Sequence, residues 1–259
     1  MTGAKMGAMA GLAALLVAGT AAAQTVPALA PGGTLRAAIN FGNPVLAQRG
    51  ADGAPAGVSV VLATELARRL GVPLAIVPFQ AAGAVTAAVA EGRYDIAFLA
   101  IDPVRGEGLD FTLPYVLIEG GYAVRTASPI TAVDQVDAPG VTVVVARGSA
   151  YDLYLTRALA HATLHRLPTG PDAASAFGRG EGDVLAGVRQ VSVRLVAETP
   201  GLRMVPGRFM SIEQAMAVPK GRDPVALATL EAFVAEMKAS GVVARALAET
   251  GQHDAEVAP

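Results

Sequence analysis

The sequence contains no cysteine and no tryptophan, and it has only three histidines among 259 residues. Without cysteine the chain can form no disulfide, no zinc–thiolate site and no thiol nucleophile. His161 and His165 are four residues apart and could share a helix face, but two histidines without a partner carboxylate motif are usually surface residues. We therefore expect neither a metal site nor a cofactor.

Charge is also sparse, because Asp, Glu, Lys and Arg make up 16% of the chain and the formal net charge is −2. This near-neutral balance argues against a nucleic-acid-binding protein, which presents a basic surface. The hydrophobic fraction of 53% is largely alanine and valine. After the N-terminal segment no apolar run reaches the roughly 20 residues of a membrane-spanning helix. The composition therefore indicates a packed α/β protein.

The N-terminal segment has the order of a secretory signal peptide. Lys5 precedes an apolar stretch rich in small residues at positions 6–19, and Ala21 and Ala23 then offer an Ala-x-Ala cleavage site. The stretch is shorter than a spanning helix requires, and no cysteine is present to carry a lipid. We predict that residues 1–23 are removed and that the mature chain is exported to the periplasm without a membrane anchor.

The rest of the chain alternates between strand and helix patterns. Residues 34–101 read as βαβαβ, which implies a parallel sheet with right-handed crossovers. The pattern restarts after Tyr115, and one more strand with two helices follows the second unit. We predict two lobes joined by hinge strands near residues 122–126 and 214–218, with the ligand cleft between the lobes. The predicted boundaries are 33–121 with 215–251 for a discontinuous lobe 1, 126–210 for lobe 2, and 252–259 for a disordered tail.

Seven sequence blocks occur in a characteristic order. They include the run Gly-Arg-Tyr-Asp that ends at Asp95, and the stretch from Asp102 to Tyr115 that contains Asp-Pro-Val-Arg and Asp-Phe-Thr-Leu-Pro-Tyr. In full the blocks are residues 34–36, 57–71, 92–96, 102–115, 147–149, 182–183 and 217–221.

Through these blocks the chain resembles the extracellular solute-binding proteins of the polar amino-acid type, family 3, which are periplasmic components of ABC importers. The resemblance covers about residues 33–251. It implies the two-lobed type II periplasmic-binding-protein fold, with two crossover hinge strands and a ligand cleft. It also implies a monomer whose partners are a small-molecule carboxylate ligand and an ABC transporter permease.

Arg105 is the most informative single residue. Asp102 can cap a helix N-terminus and Pro103 suits the first helical position, so Arg105 would lie in the first turn. An arginine there can bind a carboxylate through two parallel hydrogen bonds. In the resembled family the arginine at this place binds the ligand's carboxylate, and the resemblance implies that role for Arg105. The alternative is a surface ion pair with Glu107 or Asp110.

A second group of candidates surrounds this position. Ser149, with the backbone amides of Ala150 and Tyr151, opens a helix after a strand and could contact the carboxylate; ordinary capping by Ser149 is the alternative, and both can hold at once. The resemblance also places ligand contacts at Phe98 and Ala100. The remaining candidates have an equally simple structural explanation, as turn residues or hinge contacts: Asn40, Asn43, Glu119 and Gln214.

The departures from the family are equally informative. The resembled proteins often carry an aspartate that holds the ligand's α-ammonium, and the matching position here is Val188. Arg147 and Arg189 come from loop ends in lobe 2 and would make the site cationic if they face the cleft; otherwise they pair with surface carboxylates. We therefore expect an amine-free organic acid, such as a dicarboxylate, rather than an amino acid.

The alternative function is an exported enzyme on the same fold, such as a lyase that resembles cyclohexadienyl dehydratases. Such an enzyme needs a positioned acid, and Glu119 and Asp102 are the candidates. The sequence offers no paired carboxylates within one loop and no Ser–His–Asp order. A binding protein without catalytic residues is the expectation that fits these observations better.

Overall fold

The computed structural model describes residues 25–50 and 52–259, so the predicted signal peptide lies outside the described residues. Residues 25–29 are helical and precede the first strand. The strands are β1 (Leu35–Asn40), β2 (Gln48–Arg49), β3 (Pro55–Ala56), β4 (Leu74–Phe79), β5 (Ile96–Ala100), β6 (Leu109–Phe111), β7 (Val116–Arg125), β8 (Thr142–Ala146), β9 (Thr163–Leu167), β10 (Val184–Val188), β11 (Leu202–Met204), β12 (Met210–Pro219) and β13 (Glu256–Val257). The helices are α1 (Val58–Leu70), α2 (Ala82–Ala87), α3 (Ala150–Ala158), α4 (Gly170–Gly178), α5 (Arg189–Glu198), α6 (Pro224–Ala239) and α7 (Val242–Glu249).

Lobe 1 is built on the parallel strands β4, β1 and β5, with β1 in the middle. Helix α1 follows the predicted period, because Val58, Leu62 and Leu66 are buried while Arg68 is exposed. Gly71 ends this helix with a φ of 67°, which lies in the left-handed region that glycine adopts without steric cost. Helices α6 and α7 follow β12 along the chain, and they pack against β12 and α1 respectively.

Lobe 2 repeats the arrangement with the parallel strands β10, β8 and β9. The central strand β8 buries Val143, Val144 and Val145, so it is covered on both faces. Helix α4 packs on one side through Ala173 and Phe177. Each lobe therefore has an open parallel sheet whose strands end at the cleft.

Strands β7 and β12 cross between the lobes as an antiparallel pair. They are in register from Met210 opposite Gly120 to Gln214 opposite Val116. Beyond this stretch β12 continues along β5 in lobe 1, and β7 continues along β10 in lobe 2. The two-lobed α/β fold of the type II periplasmic binding proteins is confirmed, and the crossing lies a few residues before the hinge positions that the sequence suggested.

The C-terminal tail differs from the expectation of disorder. Strand β13 pairs with β7 through Glu256 opposite Leu117 and Val257 opposite Val116. Gln252 and Ala258 are buried. The reason is that β7 leaves an edge free beside the crossing, and backbone groups at such an edge pair readily with an added strand.

Two further observations concern membrane-spanning helices and metal sites. No helix within the described ranges is both long and apolar enough to span a membrane. Nor do the described residues bring together three or more side chains of the kinds that commonly hold a metal ion.

Candidate functional site

A cavity of about 70 Å³ lies between the lobes, where the parallel strands of both sheets end. Lobe 1 contributes the ends of β1 and β5, lobe 2 contributes the end of β8 and the start of α3, and β12 supplies part of the wall. We call this space the inner cavity. Ten of the twelve predicted site residues line it, namely Asn40, Asn43, Phe98, Ala100, Arg105, Arg147, Ser149, Ala150, Tyr151 and Gln214.

Arg105 is the largest fully buried side chain among the described residues, with 1% of its surface exposed. Its Nη1 donates to the Ala100 carbonyl oxygen at 2.8 Å, and its Nη2 donates across the cleft to the Gly148 carbonyl oxygen at 3.0 Å. Its Nε is buried and has no hydrogen-bond partner among the described residues. Since a guanidinium carries five N–H donors, three remain for other acceptors.

The charge on Arg105 is not neutralised by an ion pair with any described residue, so the surface pairs with Glu107 or Asp110 are not formed. Burial lowers the pKa of Arg105 to about 10, and the nearby charge of Asp102 opposes this decrease. The guanidinium therefore stays protonated at neutral pH. A buried cation without a partner anion is costly, so the inner cavity is arranged to favour an anion.

Asp102 caps the turn that carries Arg105, as predicted, and it also makes an ion pair. Its Oδ1 accepts the Val104 backbone N–H at 2.9 Å, and the chain then forms a short 3-10 helix, Arg105–Glu107, instead of an α-helix. The same carboxylate pairs with Arg157 of helix α3, with an Nη2–Oδ2 distance of 2.8 Å. Asp102 thus links the two lobes and does not line the inner cavity.

Ser149 caps helix α3, which is the simpler of the two roles that the sequence suggested for it. Its Oγ accepts the Asp152 backbone N–H at 3.0 Å, and the Asp152 carboxylate accepts the Gly148 N–H at 2.8 Å. The helix therefore begins at the cavity with Ala150 and Tyr151, and its positive dipole end faces the same space as Arg105. Contact of these residues with a ligand stays a prediction.

The lobes touch through two glycines beside this helix. A Cβ on Gly83 would lie 2.9 Å from the Arg147 carbonyl oxygen, and a Cβ on Gly148 would lie 2.7 Å from the Gly83 Cα. Gly148 also has a φ of 67°. The backbones of α2 and of the turn after β8 therefore approach more closely than any residue with a side chain would allow.

Apart from Arg147, the remaining polar side chains of the lining are neutral, and apolar residues such as Leu46 and Ile212 complete the wall. Asn40 and Asn43 accept backbone N–H groups of their own loop at 3.0 and 3.3 Å, which is ordinary turn chemistry. Gln214 is buried on the crossover strand. Sequence reasoning missed Gln80, which follows β4 at the same sheet edge and could have been found from that position. Ser59 also lines the cavity, and its hydroxyl lies 3.2 Å from that of Tyr115.

Arg189 and Glu119 do not join the site. Arg189 donates to the Gly207 carbonyl oxygen at 2.8 Å and lies 3.5 Å from Glu119, whose other oxygen pairs with Arg208 at 2.8 Å. For Arg189 this is the surface pairing that the sequence left open as an alternative. Arg147 lines the inner cavity and is exposed. Among the described lining residues none is an aspartate or a glutamate.

The model of the family described as bacterial extracellular solute-binding proteins, family 3, matches residues 35–251. The solved structure of the solute receptor for L-cysteine of Neisseria gonorrhoeae is similar, with a TM-score of 0.76, 25% sequence identity, and coverage of 87% of this chain and 93% of that one. A mutant of ArgBP from T. maritima gives a TM-score of 0.74 at 23% identity, with coverage of 90% and 100%. The ancestral amino acid-binding protein AncCDT-1, a precursor of cyclohexadienyl dehydratase, gives 0.73 at 23% identity, with coverage of 87% and 98%. The comparison with curated protein sequences gave no match.

Proposed function

Since the chain belongs to family 3 of the bacterial extracellular solute-binding proteins, we propose that it binds a small carboxylate-bearing solute between its lobes and presents it to an ABC-type importer. The single observation that carries the proposal is the buried Arg105, whose Nε has no partner among the described residues and whose charge is not paired there. A carboxylate in the inner cavity would supply both the missing acceptor and the missing charge.

The lining of the inner cavity supports an acid without a free amine. A buried ammonium group is stabilised best by an acceptor with negative charge, and no described lining residue carries one. Val188 occupies the position at which related proteins often have the ammonium-binding aspartate. Helix α5 also begins there, with Val188 at its N-cap, so the local dipole disfavours a cation.

An amino acid is the second candidate ligand. The receptor from Neisseria gonorrhoeae, at 25% identity, is a receptor for L-cysteine, and that similarity favours this candidate. The amide oxygens of Gln80 and Gln214 are neutral acceptors in the lining that could take an ammonium group. The ligand panel below separates the two candidates.

The mechanism requires motion and no chemistry. The antiparallel crossing of β7 and β12 connects the lobes, and opening about it would expose Arg105 to solvent. A ligand that contacts both lobes shifts the population toward the closed arrangement, which the importer would recognise. We expect the exported chain to work as a monomer in the periplasm.

The two candidate acids of the enzyme alternative give it little support. Asp102 is paired with Arg157 and Glu119 with Arg208, and neither lines the inner cavity. A general acid must come within hydrogen-bond distance of the reacting group. We therefore favour binding without turnover, which recovery of the ligand unchanged after long incubation would support.

The test is calorimetric titration of the chain from Gln24 to Pro259 with amine-free acids and with amino acids, after a thermal-shift screen. For the acid that binds best, its primary amide is titrated as well. Arg105→Ala should weaken binding of the acid by about 2–5 kcal/mol, because the buried carboxylate loses its partner. The difference between acid and amide should largely disappear in this variant.

The amide comparison is needed because Arg105 also contacts Gly148 across the cleft. Loss of that contact alone would weaken the acid and the amide equally. Arg194→Ala removes an exposed arginine on α5 and should leave both affinities unchanged. If Arg105→Ala preserves the full preference for the acid over its amide, Arg105 is not the carboxylate anchor and the proposal fails.

A further inference from the structure

A second, larger cavity opens beside the inner one, and we call it the outer cavity. It has a volume of about 530 Å³ and lies between the loop after β1 in lobe 1 and helices α4 and α5 in lobe 2. The two cavities have five lining residues in common, so they adjoin each other. These are Gly42, Gln80, Tyr151, Gly170 and Val188.

The inner cavity is by far the smaller of the two, with about 70 Å³ around Arg105 against about 530 Å³ in the outer cavity. The space around Arg105 suits a carboxylate and the atoms next to it. The rest of a longer ligand would extend past the shared lining residues into the outer cavity.

The outer cavity is predominantly apolar. Side chains from both lobes contribute to its wall, among them Phe41, Pro44, Leu185, Val188, Val191 and Leu195. Leu185 comes from the buried strand β10, while Val191 and Leu195 lie four residues apart on α5. Such a surface favours an apolar group by the hydrophobic effect and penalises a second charge.

Asp172 is the single charged residue among the described residues of this wall. It is exposed, its carboxylate accepts the Thr169 hydroxyl at 2.7 Å, and its backbone N–H donates to the Thr169 Oγ1 at 3.2 Å. These bonds cap the start of helix α4. The carboxylate is therefore occupied with capping, at the solvent side of the cavity.

From these observations we infer that the ligand is an amine-free monocarboxylic acid with a branched aliphatic or aromatic substituent, and that this substituent occupies the outer cavity. The inference rests on the proposed function, because it takes Arg105 as the carboxylate anchor. It adds the part of the ligand that lies beyond the carboxylate. It also replaces the dicarboxylate that the sequence suggested.

The experiment measures dissociation constants for five acids on the chain from Gln24 to Pro259. Pyruvate is the short reference, and 4-methyl-2-oxopentanoate and phenylpyruvate carry apolar substituents. The acid 2-oxoglutarate carries a second carboxylate, and 6-aminohexanoate carries a distant ammonium that Asp172 could attract. At least one apolar acid should bind about tenfold or more tightly than pyruvate, because burial of a leucine-sized group contributes that much.

Variants on helix α5 locate the substituent. Val191→Asp places a carboxylate in the outer cavity and should weaken the apolar acid about tenfold or more while the affinity for pyruvate changes little. Val193→Asp is the matched control on the same helix, because Val193 is 44% exposed and does not line the cavity. Pro171→Asp is a second test of the same kind, because Pro171 also lines the outer cavity and the variant should weaken the apolar acid as Val191→Asp does. A folding defect is not expected, since Pro171 is exposed in the first turn of α4, where an acidic residue is favourable.

The outcomes separate this inference from the proposed function. Binding of pyruvate or 2-oxoglutarate with no gain for the apolar acids leaves the carboxylate proposal intact and overturns the inference. Tighter binding of 6-aminohexanoate than of the apolar acids overturns it as well and assigns the outer cavity to a cation. Absence of binding by all five acids overturns the inference and, with it, counts against the proposed function.

Discussion

The guanidinium of Arg105 contacts the opposite lobe and also offers a free donor to a ligand. Its Nη2 donates to the Gly148 carbonyl oxygen of lobe 2, while its buried Nε has no acceptor among the described residues. The guanidinium is therefore held in place for a ligand when lobe 2 is also in place. A ligand anion on Arg105 and closure of the cleft should therefore be energetically coupled.

At the same scale, Val188 offers a test of ligand class. Val188→Asp would place a carboxylate in the shared wall of the two cavities. We expect the variant to gain measurable affinity for at least one amino acid, because a buried ammonium then has a charged acceptor. Affinity for amine-free acids should fall, since like charges repel at short distance.

Titration calorimetry of the wild-type chain and of Val188→Asp with matched pairs, such as 4-methyl-2-oxopentanoate and leucine, measures both changes. Val188→Asn is the control that adds a polar group of the same shape without the charge. Should the wild-type chain already prefer leucine, the ammonium has an acceptor that the lining does not suggest, and the amine-free proposal is wrong.

At the scale of elements, the sequence predicted well what depends on local pattern. The period of α1, its glycine end and the buried strands β5 and β8 follow from hydrophobic spacing. The sheet edge that carries the candidate site follows from the alternation of strands and helices. The placement of Arg105 and of the residues around Ser149 at this edge follows from the family resemblance and from their positions after strands, while their contact with a ligand stays a prediction.

What the sequence could not predict depends on partners distant along the chain. Arg157 and Asp102 are 55 residues apart, and no local signal joins them. Arg189 is diverted from the cleft by Gly207 and Glu119, which reach it from other segments. The tail around Val257 is ordered because β7 offers a free edge. Each outcome is decided by tertiary contacts, which outweigh local preference.

Gly83 gives a prediction that belongs to helix α2 and the turn opposite it. Gly83→Ala should favour the helix slightly, because alanine has the higher helix propensity. It should also weaken ligand binding by roughly tenfold, because the new Cβ would lie 2.9 Å from the Arg147 carbonyl oxygen and oppose full closure.

Titration calorimetry and thermal unfolding without ligand measure the two effects separately. Gly178→Ala is the matched control, since Gly178 is also helical and a Cβ there meets nothing within 4 Å. Equal ligand affinities for the two variants would show that the approach of Gly83 to lobe 2 has no role in the bound state.

At the scale of the whole molecule, two polar contacts from the turn at residues 102–105 hold the lobes together. Arg105 donates to the Gly148 carbonyl oxygen, and Asp102 pairs with Arg157. The Asp102 side chain is 5% exposed and that of Arg157 is 44% exposed, so solvent partly screens the pair. We expect this ion pair to favour the closed arrangement by about 1 kcal/mol.

Asp102→Asn tests this ion pair with little change to its surroundings, because the amide oxygen can still accept the Val104 N–H. By the same figure of about 1 kcal/mol, ligand affinity should fall roughly fivefold, since opening then competes better with binding. Small-angle X-ray scattering of the ligand-free variant should give a larger radius of gyration than the wild-type chain, and saturating ligand should remove the difference.

Raising the salt concentration should lower the ligand affinity of the wild-type chain more than that of the variant, because salt screens the partly exposed ion pair. Arg179→Gln breaks an ion pair with Glu181 within lobe 2 and should leave affinity and radius unchanged. If Asp102→Asn behaves like Arg179→Gln, the contact between Asp102 and Arg157 does not stabilise closure, and Arg105 with the ligand must provide the closing free energy.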